Sequence, residues 1–330
     1  MINEKFIQFA DVECKNSSEI YRKLSYYIAQ DKDLIEICNY APINQPIPNL
    51  FLGSVNYLLL KGYDNNLYDE YYVNETSDLI RKFKEFCIKN KIEIIKIMNN
   101  KLVQTNEVRR SSYIFPILCY INDKRKINLL EIGCSAGLQL LADKYMYKYD
   151  VYPGYKGNLT SDLTISSVIT KGEFGSYIDE QMDIGKRIGI DLNTIDFTKD
   201  EEFLWLKALI WPEHNDRRIL LEKARDIVIN ENLKLKEGNA LEIIIEEVKK
   251  IPIDENLLIF HTHVANQMSI KEKENLVKII ENIGKNRNLY HLYNNIDDKL
   301  LHLDSYKNGE KYPKIVGQTD GHGKWFEWNL

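Results

Sequence analysis

The sequence is poor in cysteine, and the cysteines it has are scattered. Only five occur among 330 residues, and no Cys-x-x-Cys pair is present. They are Cys14, Cys38, Cys87, Cys119 and Cys134. An odd number of widely spaced cysteines argues against a disulfide framework or a zinc site built on cysteine. We therefore expect reduced thiols and a cytoplasmic protein.

Long apolar runs and an excess of basic residues are also lacking. The most apolar stretch, residues 50–60, is too short to span a bilayer, and residues 1–5 do not open a secretory signal. The formal net charge is −5 and the pI is near 5.8. Because no global positive field attracts phosphates, we expect binding neither to nucleic acid nor to a membrane.

What is present is enough apolar sequence for a large core, in a chain whose length is compatible with two domains. In residues 1–122, apolar side chains recur at helical spacing, which predicts a helical cap or lid region. Residues 123–330 alternate between strand-like and helix-like segments. Strand-like runs occupy 127–132, 187–192, 233–237, 257–261 and 288–293. This alternation predicts an α/β domain with a mostly parallel, Rossmann-like sheet and ligands at the carboxyl ends of its strands.

Residues 145–180 interrupt the alternation. Tyr145, Tyr147 and Tyr149 alternate with polar residues, and prolines and glycines follow. This pattern predicts an inserted antiparallel excursion. Its tyrosines either cover a substrate or pack onto the sheet, and composition favours packing.

A glycine-containing segment follows the first predicted strand. It reads Glu131-x-Gly133-x-Ser135-x-Gly137. Glycines at such a turn let the backbone approach a ligand closely, and the next helix start offers free N–H groups. The dinucleotide fingerprint would require glycine at 135 and 138, and neither position has it. A tight strand–helix turn without a ligand is the alternative.

The acid-x-Gly-x-x-x-Gly form resembles the first motif of class I S-adenosylmethionine-dependent methyltransferases. That family usually has glycine at the middle position, where this chain has Ser135. The resemblance implies a methyltransferase-type fold with S-adenosylmethionine as the cofactor. It places Glu131, Gly133, Ser135 and Gly137 around that cofactor.

Later strand ends carry residues that resemble further parts of the same site. Asp191 closes the second strand, where the family has an acid that accepts hydrogen bonds from the ribose hydroxyls. The excursion accounts for its long separation from the glycine segment. Asn239 and Ala240 follow the third strand, where adenine is often contacted, although Asn239 is an equally good helix N-cap. His261 ends the fourth strand, and we predict it to be a general base near the transferred methyl.

Two other segments supply candidates for substrate binding and catalysis. In many methyltransferases the segment before the first strand folds over the cofactor. We therefore predict that Asn106 and Arg109 bind the substrate, and that the Arg109 guanidinium pairs with a carboxylate. Glu107 is predicted to be catalytic. The alternative is that Thr105 or Asn106 caps the next helix and that the charges are solvated. Glu213, two residues after Trp211, is a further catalytic candidate.

His261 and His263 are expected to point the same way, because alternate residues of a strand share a face. His263 is accordingly predicted to contact substrate. A metal-dependent hydrolase using both histidines, with His322 or Glu213 completing the site, is an alternative. The ligand spacing is not diagnostic, and we predict no metal.

Nearly the whole sequence is similar to a bacterial family known as domain of unknown function 2332. The similar phrases lie at 45–50, 105–110, 130–138, 189–193, 211–213, 260–262 and 322–325. The resemblance implies a methyltransferase-like fold and specifies no reaction.

The resulting hypothesis is a methyltransferase that acts on a small molecule. No Asn-Pro-Pro-Tyr-type motif and no Pro-Cys nucleophile is visible, which argues against nucleic-acid methylation. A non-catalytic nucleotide- or cofactor-binding protein of the same fold is the main alternative.

Overall fold

The computed structural model describes residues 1–73, 78–231 and 233–330, which form two compact units. The helical unit comprises residues 1–105 and 198–219, and the sheet unit comprises residues 106–197 and 220–330. The sequence-based division at 122/123 differs from this one. Contacts group residues 106–122 with the sheet and residues 198–219 with the amino-terminal helices.

The α-helices in chain order are α1 (Ile2–Gln8), α2 (Glu19–Ile28), α3 (Lys32–Cys38), α4 (Ile47–Leu60), α5 (Asn65–Tyr72), α6 (Leu79–Lys89), α7 (Lys91–Asn100), α8 (Ser111–Tyr120), α9 (Asp200–Ala208), α10 (Asn215–Glu231), α11 (Ala240–Val248) and α12 (Ile270–Asn286). The strands are β1 (Ile127–Ile132), β2 (Met146–Tyr149), β3 (Lys156–Gly157), β4 (Thr164–Lys171), β5 (Ile184–Asp191), β6 (Lys234–Glu237), β7 (Asn256–His261), β8 (Leu289–Tyr293), β9 (Leu301–Lys307), β10 (Glu310–Gly317) and β11 (Trp325–Glu327).

Helix α4 is the centre of the helical unit, because nearly all of its side chains are buried. Its close neighbour is α9. A Cβ on Gly53 would lie 2.9 Å from Cδ2 of Leu209, so glycine lets the two segments approach. Asn56 is fully buried and donates to the carbonyl of Ala208 at 2.9 Å, which satisfies its amide in the core. This packing explains why residues 198–219 belong with the amino-terminal helices.

The main sheet of the sheet unit has the order β10-β9-β8-β7-β1-β5-β6. Strands β6, β5, β1, β7 and β8 are parallel, and β9 and β10 extend the edge as an antiparallel hairpin. In chain order the parallel strands run 3-2-1-4-5, the Rossmann arrangement. The predicted mostly parallel α/β fold is therefore confirmed. The direction of winding reverses between β1 and β7, and ligands bind at the carboxyl ends of such strands.

All six residues of β1 are buried, as expected for a central strand covered on both faces. One face packs against α11 and α12 through a shared apolar core. This core includes Ile132, Ile190, Ile244, Ile259, Leu276 and Ile280. Each such side chain contributes about 1.5–3 kcal/mol when it leaves water. The core fixes the strand ends that carry the candidate site.

Strands β2, β3 and β4, which lie between β1 and β5 in the chain, form a second sheet together with β11, in the order β11-β4-β2-β3. Its β2–β3 pair is antiparallel, whereas β4 joins β2, and β11 joins β4, in parallel. The predicted excursion is thus present with one antiparallel pair. Tyr145, Tyr147 and Tyr149 are fully buried, and Tyr147 stacks on Phe115 of α8 with ring centroids 4.6 Å apart. These tyrosines pack inside the protein. Because they contact α8, that helix belongs to the sheet unit.

Among the residues that the structure describes, no helix combines the length and apolar character needed to cross a membrane.

Candidate functional site

The loop after β1 has an unusual backbone. Gly133, Ser135 and Gly137 all have positive φ angles, of 73°, 47° and 76°. A Cβ on Gly133 would overlap Cγ2 of Val264, and one on Gly137 would lie 2.7 Å from Cδ1 of Leu233. Both glycines are therefore required by conformation and by neighbouring side chains of the protein itself. Close approach of a ligand is not needed to explain them.

Asp191, the last residue of β5, is hydrogen-bonded to the residues that follow β1 and β6. Its Oδ2 accepts a hydrogen bond from the Ser135 N–H at 2.7 Å, and its Oδ1 accepts one from the Asn193 N–H at 2.9 Å. Its backbone carbonyl accepts from the N–H of Gly238, just after β6, at 2.8 Å. Burial raises the pKa of Asp191, and the hydrogen bonds from the backbone oppose that rise. The structure thus brings this predicted cofactor residue to the glycine loop.

Asn106 also reaches this loop. Its Nδ2 donates to the Ser135 hydroxyl at 2.8 Å, and its Oδ1 accepts from the Ala136 N–H at 3.4 Å. The Ser135 side chain, which replaces the glycine usual in methyltransferases, is held in place by this contact. Asn106 is therefore placed to fix the loop conformation.

Glu107 lies next to Asn106 and is almost fully buried. Its Oε1 accepts from the Arg109 N–H at 3.0 Å and so caps the 3-10 turn of Val108–Arg110. The Gln139 side chain donates to the Glu107 carbonyl at 2.8 Å. A cap is therefore present, but Glu107 forms it and not Thr105 or Asn106, and the charges of Glu107 and Arg109 are buried where that alternative had them solvated. Arg109 lies within the same buried turn.

Glu131, the acid of the glycine segment, has a buried carboxyl group. Within the described part of the chain, its Oε2 has no hydrogen-bond partner. Burial raises the pKa of Glu131 well above its ordinary value, and the Asp191 carboxylate raises it further. Arg110 and the Leu140 N–H favour the charged form and oppose the rise.

Asn239 is the N-cap of α11. Its Oδ1 accepts from the Leu241 N–H at 3.1 Å, and its Nδ2 donates to Oε1 of Glu242 at 3.1 Å. Both polar ends of the side chain thus have partners inside the protein. Of the two sequence readings, the helix cap is the one that the structure contains. Ala240 is buried as the first residue of the helix.

His261 lies at the end of β7 and is completely buried. Neither ring nitrogen has a hydrogen-bond partner among the residues described. The ring centroid lies 5.3 Å from that of His291 and 6.0 Å from that of Tyr293. Burial lowers the pKa of His261 to about 4, which keeps the imidazole neutral at pH 7.

His263 does not continue the strand, so the expectation that it shares a direction with His261 by alternation is wrong. Strand β7 ends at His261, and His263 has a positive φ of 62°. Its N–H donates to Oδ1 of Asn294 at 2.7 Å, and burial lowers the pKa of its ring to about 4. Across residues 1–73, 78–231 and 233–330, no three His, Cys, Asp or Glu side chains are grouped to hold a metal ion.

Glu213 belongs to the helical unit. One carboxylate oxygen accepts from the Ser18 hydroxyl at 2.7 Å, and the other accepts from the Ile20 N–H at 2.9 Å. These bonds satisfy the start of α2, where helices favour a negative charge. This capping role explains the residue type without catalysis.

Arg110 is a residue that the sequence reasoning missed. It is only 8% exposed, and its Nε donates to the carbonyl of Gly321 at 2.9 Å. A Cβ on Gly323 would lie 2.6 Å from the carbonyl oxygen of Arg109, so residues 321–323 pack closely on the turn before α8. More than 200 residues separate the two segments. Only the similarity of both to the same family, at 105–110 and 322–325, linked them in the sequence.

The model of a family described as "Uncharacterized protein conserved in bacteria (DUF2332)" matches residues 3–328. No curated protein matches the chain.

Proposed function

This chain belongs to that bacterial family, and we propose that it binds S-adenosylmethionine at the carboxyl ends of β1 and β5 and transfers the methyl group to a small molecule. The observation that carries the proposal is the contact of Asp191 with the loop of residues 133–137. A carboxylate and a left-handed glycine loop meet at the carboxyl edge of a parallel 3-2-1-4-5 sheet.

Asp191 has capacity left for a ligand. Its Oδ2 accepts from the Ser135 N–H and its Oδ1 from the Asn193 N–H, and each oxygen has a second lone pair. The side chain is partly exposed, so its free lone pairs can accept from vicinal hydroxyls such as those of a ribose. The raised pKa of Asp191 falls once such donors stabilise the charged form.

Asn106 and Ser135 would act as positioning residues. Their side-chain hydrogen bond holds the loop in one conformation, and the left-handed φ at Ser135 is the strained feature that it supports. The bound cofactor would supply an electrophilic methyl group on a sulfonium. The protein would contribute orientation and exclusion of water.

The test is calorimetric titration with S-adenosylmethionine and S-adenosylhomocysteine. Wild-type protein is compared with Asp191→Asn, which keeps the side-chain shape and removes the charge. Asp162→Asn, an exposed acid in the same unit, is the matched control. We expect micromolar binding in wild type and control, and affinity at least about tenfold weaker in Asp191→Asn. Absence of heat from folded wild-type protein at millimolar ligand would refute the proposal.

A second candidate is a cofactor-binding protein that carries out no transfer. The burial of His261 favours it, because a side chain without exposure cannot take a proton from a substrate in this conformation. Glu213 is likewise engaged in a helix cap. Binding of S-adenosylmethionine, with no S-adenosylhomocysteine formed across a panel of small amines, phenols and carboxylic acids, would support this candidate over the methyltransferase.

A cytoplasmic location also belongs to the proposal. All five cysteines are buried free thiols, which suits a reducing compartment.

A further inference from the structure

Arg110 is a buried cation with unused donors. Its exposure is 8%, and its single hydrogen bond within the described chain runs from Nε to the Gly321 carbonyl. The two Nη groups, four N–H donors in all, make no hydrogen bond to the described residues and are not among their solvent-inaccessible atoms. The rest of the side chain is buried, so the guanidinium is held in place with its Nη donors open to a ligand.

No carboxylate of the described residues forms an ion pair with the Arg110 guanidinium within 4.0 Å, although Glu131 lies in its electrostatic reach. Arg110 lowers the pKa of Glu131 and shares the surroundings of His263 with Asp320. Asp320 is held elsewhere, because its Oδ2 accepts from the N–H groups of His322 and Lys324. A cation without a close counter-ion attracts an anion, and more strongly near a protein surface than in bulk water.

Two further unused polar atoms belong to His263 and to the segment that carries Gly321. Nε2 of His263 has no partner within residues that the structure describes, and a Cβ on Gly321 would lie 3.9 Å from Cε1 of the same ring. The hydroxyl of Thr319, in the segment that carries Gly321, is also buried and unsatisfied in the described chain. The Arg110 guanidinium and the Nε2 of His263, which has no partner in the described chain, are thus present beside the carboxyl ends of β1 and β7.

We propose that Arg110 anchors a carboxylate-binding subsite at this edge of the sheet. The planar guanidinium matches a carboxylate with two parallel N–H···O bonds, which a lysine cannot reproduce. The carboxylate is carried either by the methionine end of the cofactor or by the acceptor molecule. This step rests on the proposed function only for the identity of the ligand, because the subsite itself follows from Arg110.

The experiment uses full-length protein labelled with ¹⁵N-arginine. The Nε–H resonance of Arg110 is assigned by its loss in Arg110→Lys. Sodium acetate is then titrated against sodium chloride at matched ionic strength. We expect a saturable shift of the Arg110 resonance with acetate and none with chloride. Arg125, an exposed arginine paired with Asp123 in the same unit, is the internal control and should not respond.

A second pair of probes separates the two sources of the carboxylate. S-adenosylhomocysteine carries a carboxylate, and 5′-methylthioadenosine lacks it. If Arg110 holds the cofactor, Arg110→Lys weakens binding of S-adenosylhomocysteine by about tenfold and leaves 5′-methylthioadenosine unchanged. If Arg110 holds the acceptor, both nucleosides bind as in wild type, and acetate still shifts the resonance.

An Arg110 resonance that responds neither to acetate nor to S-adenosylhomocysteine would overturn the subsite. Failure of both nucleosides to bind, with the acetate response intact, would instead refute the proposed cofactor and leave the subsite standing. If Arg110→Lys does not fold, the resonance is assigned in the wild-type protein by correlation to its own backbone, and the acetate titration decides.

Discussion

The backbone N–H of Ser135 donates to Oδ2 of Asp191 at 2.7 Å, although 56 residues separate the two positions. The residues between them build strands of a separate sheet, so β1 and β5 become neighbours despite the insertion. One hydrogen bond therefore joins the turn after β1 to the end of β5. The proposed cofactor site depends on this junction.

Ser135 should tolerate glycine better than alanine. At φ of 47°, any residue with a Cβ pays the cost of a left-handed backbone, and glycine does not. Ser135→Ala therefore keeps that cost and loses the hydroxyl bonded to Asn106, whereas Ser135→Gly loses the hydrogen bond and is relieved of the cost. We expect Ser135→Ala to be less stable than Ser135→Gly by about 1 kcal/mol. Urea denaturation measures the difference, and equal stability of the two variants would contradict the assigned strain.

Gly133→Ala should be strongly destabilising, because its Cβ would overlap Val264 and φ is 73°. A loss of about 3 kcal/mol or more is expected. Gly154→Ala is the matched control, since Gly154 has φ of 74° with nothing within 4 Å of its Cβ, and should lose about 1 kcal/mol. Val264→Ala should partly rescue Gly133→Ala. Similar losses at the two glycines would show that the contact with Val264 is unimportant.

Glu131 should make stability depend on pH. Its folded-state pKa is raised well above the unfolded value, so the native state retains a proton that the unfolded state releases. The stability of the wild type relative to Glu131→Gln is therefore greatest at acidic pH. It falls as the pH rises from the unfolded-state pKa to the folded-state pKa, by at most about 1.4 kcal/mol per pH unit. Denaturation at pH 5, 6, 7 and 8 measures this difference, with the exposed Glu274→Gln as control. A difference independent of pH would contradict the raised pKa.

Asn239 offers a test of a helix cap against an adenine contact. Because Oδ1 accepts from the Leu241 N–H, Asn239→Ala should cost about 1 kcal/mol of stability, and Asn239→Ser should retain most of it. Affinity for S-adenosylhomocysteine should change by less than about twofold in both variants. A tenfold loss of affinity with unchanged stability would restore the adenine contact.

The parallel sheet was predictable because its strands are short apolar runs separated by helical periodicity, as in Ile127–Ile132. Asp191 was predictable as a strand end, since the carboxyl ends of parallel strands share one edge. The placement of His263 was not, because alternation applies only while the strand continues, and the backbone turns left-handed at that residue.

Contacts between distant segments left no local signal. The bond from Arg110 to Gly321 joins positions 211 residues apart, and neither residue has a periodicity that points to the other. The same holds for residues 198–219, which join the amino-terminal helices through buried packing against α4. From the sequence, Glu213 was a candidate catalyst because it is a carboxylate near an aromatic residue. Its hydrogen bonds at the start of α2 show that it caps that helix, which the sequence did not indicate.

Hydrogen–deuterium exchange with and without S-adenosylhomocysteine tests most directly whether the loop and Asp191 form one cofactor site. We predict slower exchange in peptides that cover residues 131–140 and 188–195 together, with no change in residues 150–160 of the inserted sheet. Exchange unchanged in both regions at saturating ligand, or protection confined to another part of the chain, would contradict the account.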